Sequence, residues 1–410
     1  MNLILGRHHL GRWPYLGPVS SGSSEATKSL TPLKDNVFAI KCYGTDGVKV
    51  AEYSSSAENN TVKSLKFSLI ETGCGNFEIE FLALPHDEHF DYNRRVDIHL
   101  FNDSRPWYSG RVLKRPTRGT TARTFKISGF GHYSLLDRVN VFDTYEDKDV
   151  ADIVRDIGTQ IEAKVGIRAI SSEIVKTGYR VTKIGFDGEK AKEAIKQLTE
   201  FAANYISGVD EYNRIYFKKI SSDINEHARF WVGEHVELYE PEEDFGEIVN
   251  YARVKGGKLN DDGTNWLAVV EDLESQANYG RREAVWTLPS AFDESDATRW
   301  AIEELGIKKE PKHSAILKGV TLEYPNADGS FNVRKLSTRG RAAIFSREAP
   351  PRYYPISQIN YTVTADKGIQ CEMKLGELKK DVGSWLASIE REAKNQEFLS
   401  SNNTKQLKGG

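Results

Sequence analysis

Between Arg94 and Ile161 the hydrophobic period of the chain changes once, and the change divides strand from helix. Val96, Ile98 and Leu100 alternate with Asp97 and His99, and Phe125 and Ile127 alternate with Thr124, Lys126 and Ser128. A two-residue period puts successive side chains on opposite faces of a strand, so these segments predict a sheet with one dry face and one wet face. Asn102-Asp103-Ser104-Arg105-Pro106 supplies turn chemistry, since Asn and Asp tolerate the left-handed region and Pro presets φ; Arg118-Gly119-Thr120 does the same before the Phe125 strand. Val150, Ile153, Val154, Ile157 and Ile161 then fall on one stripe of a helix, with Asp147 or Thr144 as its N-cap.

The same reading extends in both directions. Thr45-Asp46-Gly47 turns a hairpin, Leu65, Phe67 and Leu69 alternate with Lys66 and Ser68, and Phe77, Ile79 and Phe81 alternate with Glu78 and Glu80. Residues 36–145 therefore predict six or seven strands in a sandwich or small barrel. Residues 146–245 are mixed: the Val150 helix, a second helix over Glu189–Tyr205 with Ile195, Leu198, Phe201 and Ala202 on one face, and a hairpin from Ile206 to Phe217. Residues 246–380 return to strands, most clearly where Ile359–Val363 turns through Asp366-Lys367-Gly368 into Ile369, Cys371, Met373 and Leu375; a helix over Asp293–Leu305 with Ala297, Trp300, Ala301 and Leu305 on one side interrupts them. No motif repeats between the two β-rich halves. Residues 1–35 lack periodicity and carry Trp13, Tyr15 and Leu16 before a Ser-rich run, an arm that either docks on a neighbouring subunit or stays a disordered tail. Residues 381–410 predict one amphipathic helix through Trp385, Ile389 and Ala393 and a polar tail.

A chain of 410 residues with 39% hydrophobic and 10% aromatic content is long enough for two or three cores. No run approaches the ~18 apolar residues of a membrane span, and the apolar part of Met1–Arg7 is too short for a signal peptide, so a soluble protein without membrane insertion is expected. A net charge of −3 gives no long-range attraction to nucleic acid, which requires clustered Lys and Arg. Cys42, Cys74 and Cys371 are far apart and odd in number, which fits reduced core thiols and not a disulfide framework or a zinc site.

Each candidate for chemistry has a plainer structural reading. His86 and His89 are spaced to share a metal on a helix, yet Pro85 before them and Asp91-Tyr92-Asn93 after them predict a solvated loop. Asn260-Asp261-Asp262-Gly263 and Asn326-Ala327-Asp328-Gly329-Ser330 resemble pieces of calcium loops without the distal Glu, and read as hairpin turns. Gly129-Phe130-Gly131 lacks the rest of a phosphate loop and reads as a turn or bulge. Glu240, Glu242, Glu243 and Asp244 read as a solvated acidic linker. Trp107, Trp266, Trp286 and Trp300 are sugar platforms in one reading and core residues in the other. No catalytic, cofactor-binding or metal-binding residue is predicted.

Trp107-Tyr108-Ser109-Gly110-Arg111-Val112, Phe125 to Gly131, Leu135-Leu136-Asp137-Arg138 and the Val150 helix, taken in this order, resemble the tail hub proteins of tailed bacteriophages, the baseplate hub and late control protein D group. Cys74-Gly75-Asn76-Phe77-Glu78-Ile79, the run from Ala194 to Phe217 and Ile248 to Gly257 extend the resemblance to residues 36–380. The resemblance implies a mainly β protein with an α+β middle domain: two tube-like antiparallel β-barrel or sandwich domains plus a mixed domain, followed here by a C-terminal helix. It implies a structural virion protein and no enzyme. Three copies would form a hub at the tail tip, each giving two tube-like domains, so that a trimer matches the hexameric tail tube. Implied partners are the tail tube or distal tail protein ring, a central fibre or spike protein, and the tape measure protein. DNA would pass through the channel without specific binding, and assembly would take place in the host cytoplasm. Some relatives carry a C-terminal peptidase or lysozyme, for which this chain has no room beyond Gly376. Two alternatives remain: an enzyme that degrades cell-surface polysaccharide, and a distal tail or receptor-binding protein.

Overall fold

The computed structural model describes residues 38–376 except 58–59, 117–123, 203, 221–222, 257–265, 289–293, 326–330 and 365–366. The N-terminal arm, the C-terminal helix, the Arg118 turn and both Asn-Asp loops therefore lie outside the described residues. Strands dominate, and none of the described sheets closes on itself.

The centre of the molecule is a pair of hairpins. Val62–Ile70 pairs with Gly73–Phe81, and Arg352–Thr364 pairs with Gly368–Gly376. Their first strands lie side by side and antiparallel, with Phe67 opposite Tyr361 and the two rings stacked at 4.8 Å. Around the stacked pair the two hairpins share their register: Leu65 faces Ile79 and Phe67 faces Phe77 in one, while Ile359 faces Met373 and Tyr361 faces Cys371 in the other; toward its turn the first hairpin then shifts by one residue between Phe67 and Leu69. A local two-fold thus passes through the Phe67–Tyr361 pair.

The likeness continues outward. Ile79 and Phe81 pair with Ile127 and Phe125 of the Phe125–Gly131 strand, as Met373 and Leu375 pair with Leu317 and Ala315 of Lys312–Val320. Tyr108–Lys114 lies beyond the first and Val236–Asp244 beyond the second. Spatial order is shared, but chain order is not. The hairpin comes before its flanking strands in the first half and after them in the second, so the halves are circular permutations of each other in this region. Arg95–Leu100, Phe38–Tyr43 and Lys49–Ser54 complete the first half, and Ile224–Trp231 with Arg341–Phe345 completes the second. In the Leu100–Asp103 turn, Phe101 and Asn102 both take positive φ, and Asp103 N–H donates to the Leu100 carbonyl at 3.0 Å.

One hydrophobic core serves both halves. Ile40, Leu65, Phe77, Ile98 and Trp107 pack in it with Phe230, Leu317, Ile359, Tyr361 and Met373. A second core belongs to the mixed region. The helix Val150–Val165 buries its whole predicted stripe, and the helix Ala191–Phe201 buries Ile195, Leu198 and Phe201. The N-cap is Asp149, which accepts from Ala151 N–H at 2.8 Å and from Gly178 N–H at 2.7 Å. Asp147, expected in that role, has φ 46° and pairs with Arg180 at 2.9 Å. A cap must stand immediately before the first helical residue.

Residues from both sides of position 245 contribute to the two cores. Ala228, Phe230 and Val236 bury into the core of the β halves. Ala252, Val254, Val270, Ala297, Trp300, Ala301 and Leu305 bury into the mixed core, carried by the sheet Tyr251–Gly256, Trp266–Glu271 and Glu283–Leu288 and the helix Glu294–Lys308. The turn of the first hairpin joins the parts. Val209 N–H donates to the Thr72 carbonyl at 3.0 Å, the Tyr216 hydroxyl donates to the Glu71 carbonyl, and the Thr338 hydroxyl donates to the Ile70 carbonyl at 3.0 Å. Gly73 has φ 112° and lies so close to Val209 that a Cβ would overlap its carbonyl, so only glycine fits there.

Candidate functional site

Strand alternation gives the two hairpins and their flanking strands one buried face and one open, polar face. Side chains on the open face include Lys66, Glu78 and Lys126 in the first half and Asn360, Glu372, Lys374 and Lys318 in the second. Because the halves share a sheet, this face runs unbroken across both. Its charges are matched locally. Lys66 stands opposite Glu78, Lys126 Nζ lies 3.1 Å from Glu78, Lys63 lies 3.2 Å from Glu80, and Lys318 lies 3.6 Å from Glu240. Each exposed pair contributes only ~0.2–1 kcal/mol to stability. Their larger effect is electrostatic: along the two hairpins and their flanking strands, Lys63, Lys66, Lys126 and Lys318 each have a carboxylate close by, which weakens what these lysines offer a polyanion.

The two ends of the face differ. Toward the first end, Arg95 and Arg111 stand directly opposite each other on neighbouring strands, with the Arg95 guanidinium 3.7 Å above the Tyr43 ring. At the second end is the acidic run. Glu240, Glu242, Glu243 and Asp244 do not form a linker but lie in the edge strand Val236–Asp244, paired in continuous register with Lys312–Val320. The charges repel too weakly along an edge to prevent pairing, because alternate side chains reach water or a counter-charge: Glu243 lies 2.9 Å from Arg352.

Behind the basic end is a buried polar trio, of which the sequence analysis placed only Asp97 on a wet face. Asp97, Ser109 and His132 are all nearly inaccessible, as is His99. The Ser109 hydroxyl donates to Asp97 at 2.6 Å and meets His132 Nε2 at 2.8 Å. Burial, reinforced by Arg111 and Arg95, pulls the His132 pKa down to about 3. The ring is therefore neutral, and its Nε2–H donates to a hydroxyl whose own proton is committed to Asp97. That order is the reverse of a nucleophilic triad, in which the carboxylate orients the imidazole and the imidazole takes the serine proton. The trio instead ties two strands to the 3₁₀ turn His132–Arg138 that leads into the mixed region. Asp97 and Ser109 share a face on paired strands, a signal available in the alternation, but His132 joins them only through tertiary packing.

The structure places the remaining candidates as follows. His86 and His89 flank and enter the 3₁₀ turn Asp87–Phe90 with ring centroids 5.2 Å apart, and His89 Nδ1 meets the Tyr53 hydroxyl at 2.8 Å. The three cysteines are buried and unbonded, and burial pushes the Cys42 thiol up to about 12. Gly129 and Gly131 lie within a strand, where a Cβ would overlap the carbonyls of Arg111 and Cys74, and a bulge in the partner strand falls opposite Gly129. Trp107 and Trp300 are buried, and Trp286 packs edge-on against Trp300; the Trp266 side chain lies outside the described residues.

The fold is that of phage tail proteins. The chain is similar to a tail protein from Neisseria meningitidis, with a TM-score of 0.58 and 11% identity over 83% of this chain and 96% of that one. It is similar to the 43 kDa tail protein of prophage MuSo2 from Shewanella oneidensis, at 0.59 and 13% over 83% and 98%, and to prophage tail protein gp18 from Listeria monocytogenes, at 0.57 and 12% over 87% and 98%. No protein-family model matches the chain, and no curated protein matches it by sequence.

Proposed function

We propose that this protein is a tail hub: three copies close into a ring that joins the hexameric tail tube to the distal fibre or spike and forms part of the DNA channel. The observation that carries this reading is the equivalence of the two β halves. Each chain presents two hairpins that match in register around the Phe67–Tyr361 pair and lie within one sheet, so three chains offer six nearly equivalent units to a sixfold tube. The polar face lines the channel, and its paired charges let tape measure protein and DNA pass without counterion release holding them. The role is structural and not enzymatic, exercised at the tail tip of the virion after assembly in the host cytoplasm. The polysaccharide-degrading alternative receives no support from Trp107 and Trp300, which lie in the two cores.

Native mass measurement of the isolated complex tests the reading. A trimer is expected, whereas a hexamer would replace the hub by a distal tail ring. Labelling this chain in intact particles should mark the distal end of the tail tube.

A further inference from the structure

We propose that Arg95 and Arg111 receive a carboxylate from the acidic edge strand Val236–Asp244 of a second copy of this chain. The inference rests on the ring proposed above and names the contact that closes it. Arg95 and Arg111 are direct cross-strand partners, and like charges so placed weaken a sheet unless an anion lies between them. Asp97 meets Arg95 at 3.3 Å, but its other oxygen is taken by Ser109. Arg111 donates Nη1 to the Asn93 carbonyl at 3.2 Å. The Nε of each arginine is buried without a hydrogen-bond partner in the protein. Burial and then Arg95 pull the Arg111 pKa down, and Arg138, which donates to the Tyr92 hydroxyl at 3.0 Å, adds to the crowding. A single carboxylate relieves this excess of positive charge. A phosphate dianion fits less well, because Asp97 already stands beside the pair.

The complementary charge lies toward the opposite end of the same sheet. Val236–Asp244 carries Glu237, Glu240, Glu242, Glu243 and Asp244 on the last strand of the path, while Arg95–Leu100 and Tyr108–Lys114 lie toward the other end. Identical copies joined head to tail bring one end of each sheet to the other end of its neighbour. Pro241, in the middle of the acidic strand, has no N–H to offer, which hinders extension of the ladder by another backbone. The contact must then be made by side chains, and opposite charge supplies both its register and its salt dependence.

Native mass spectrometry and sedimentation of the full chain at several salt concentrations test this. Reversal at the basic end (Arg95→Glu with Arg111→Glu) and at the acidic end (Glu240→Lys with Glu242→Lys) should each weaken self-association roughly tenfold or more. The chain carrying all four substitutions should recover most of the loss, an outcome that a folding defect cannot produce. Arg111→Gln, which removes the charge and keeps the length, should weaken association less than reversal. A parent trimer indifferent to these changes, or a fourfold variant no better than the double ones, overturns the contact and leaves the hub reading standing. A parent chain monomeric throughout overturns both. Binding of inorganic phosphate that is lost in the Arg95/Arg111 variant, with association unchanged, would reassign the site to a phosphate and overturn the carboxylate.

Discussion

The two β halves reach the same architecture from different side chains, and the contrast separates what the fold requires from what each half adds. Where the hairpins meet, apolar identity is free within limits: Phe67 matches Tyr361, Phe77 matches Cys371 and Ile79 matches Met373. Backbone spacing is less free. Gly129 in the first half and Gly319 in the second occupy corresponding places in their strands, but for different reasons. A Cβ on Gly129 would strike the Arg111 carbonyl, whereas at Gly319, with φ 64°, it would strike the movable end of Glu237. At this place the first half depends on close backbone approach, and the second on a backbone conformation with positive φ.

The largest effect is expected at the shared axis. Phe67→Ala and Tyr361→Ala should each cost ~3–5 kcal/mol, the range for truncating a buried aromatic, and each should shift a single denaturant transition covering both halves. Two separate transitions would show that the halves are independent units and break the comparison. Next, Gly129→Ala should destabilise by ~3 kcal/mol, the upper end for overpacking, because it strikes fixed backbone, and Gly319→Ala by about 1 kcal/mol through its positive φ; chemical denaturation of the pair reads the difference directly. Equal losses would mean that the two sites are under the same constraint.

The buried trio makes stability depend on pH. His132 is held neutral, with a pKa of about 3 in the fold against about 6.5 when unfolded. Below pH ~6.5 the unfolded chain binds a proton that the folded chain refuses. The contribution is thus fully present above that pH and declines as pH falls toward 3, by at most ~1.4 kcal/mol per unit. His99, His227 and His235 are shifted the same way by burial and steepen the slope. Melting temperatures between pH 7.5 and 5 should fall, and His132→Asn should flatten the curve at some loss of stability at pH 7.5. The smallest effect belongs to neither half: Asp149→Ala should cost ~1 kcal/mol, the usual worth of an N-cap, and Asp147→Ala less than half of that. A larger loss at Asp147 would return the cap to the position the sequence suggested.

These particulars show what local pattern can and cannot reveal. The helix stripe from Val150 to Ile161, the Tyr205–Lys219 hairpin and the central hairpins were legible, because each is specified by residues close in sequence. Three features were not. The burial of Asp97 and His99 depends on what covers the polar side of their strand, which a period of two does not encode. The acidic strand looked like linker because an edge strand tolerates both proline and charge. The permuted kinship of the halves resides in pairing register, and register becomes visible only when distant strands meet. The polar face was legible as alternation in each strand, but its continuity across both halves rests on the pairing of residues 64–70 with 358–364.

That pairing also sets a timetable for synthesis. Because the strand completing the central sheet emerges from the ribosome long after Val62–Ile70, the earlier strand must hold an unpaired margin while the whole mixed region is translated. Contacts so remote along the chain are slow to form, and an open margin invites wrong partners in the meantime. The turn at Glu71–Gly73, gripped by Val209 and Tyr216 of the region made in between, gives the nascent first half an intermediate anchor before its true neighbour arrives.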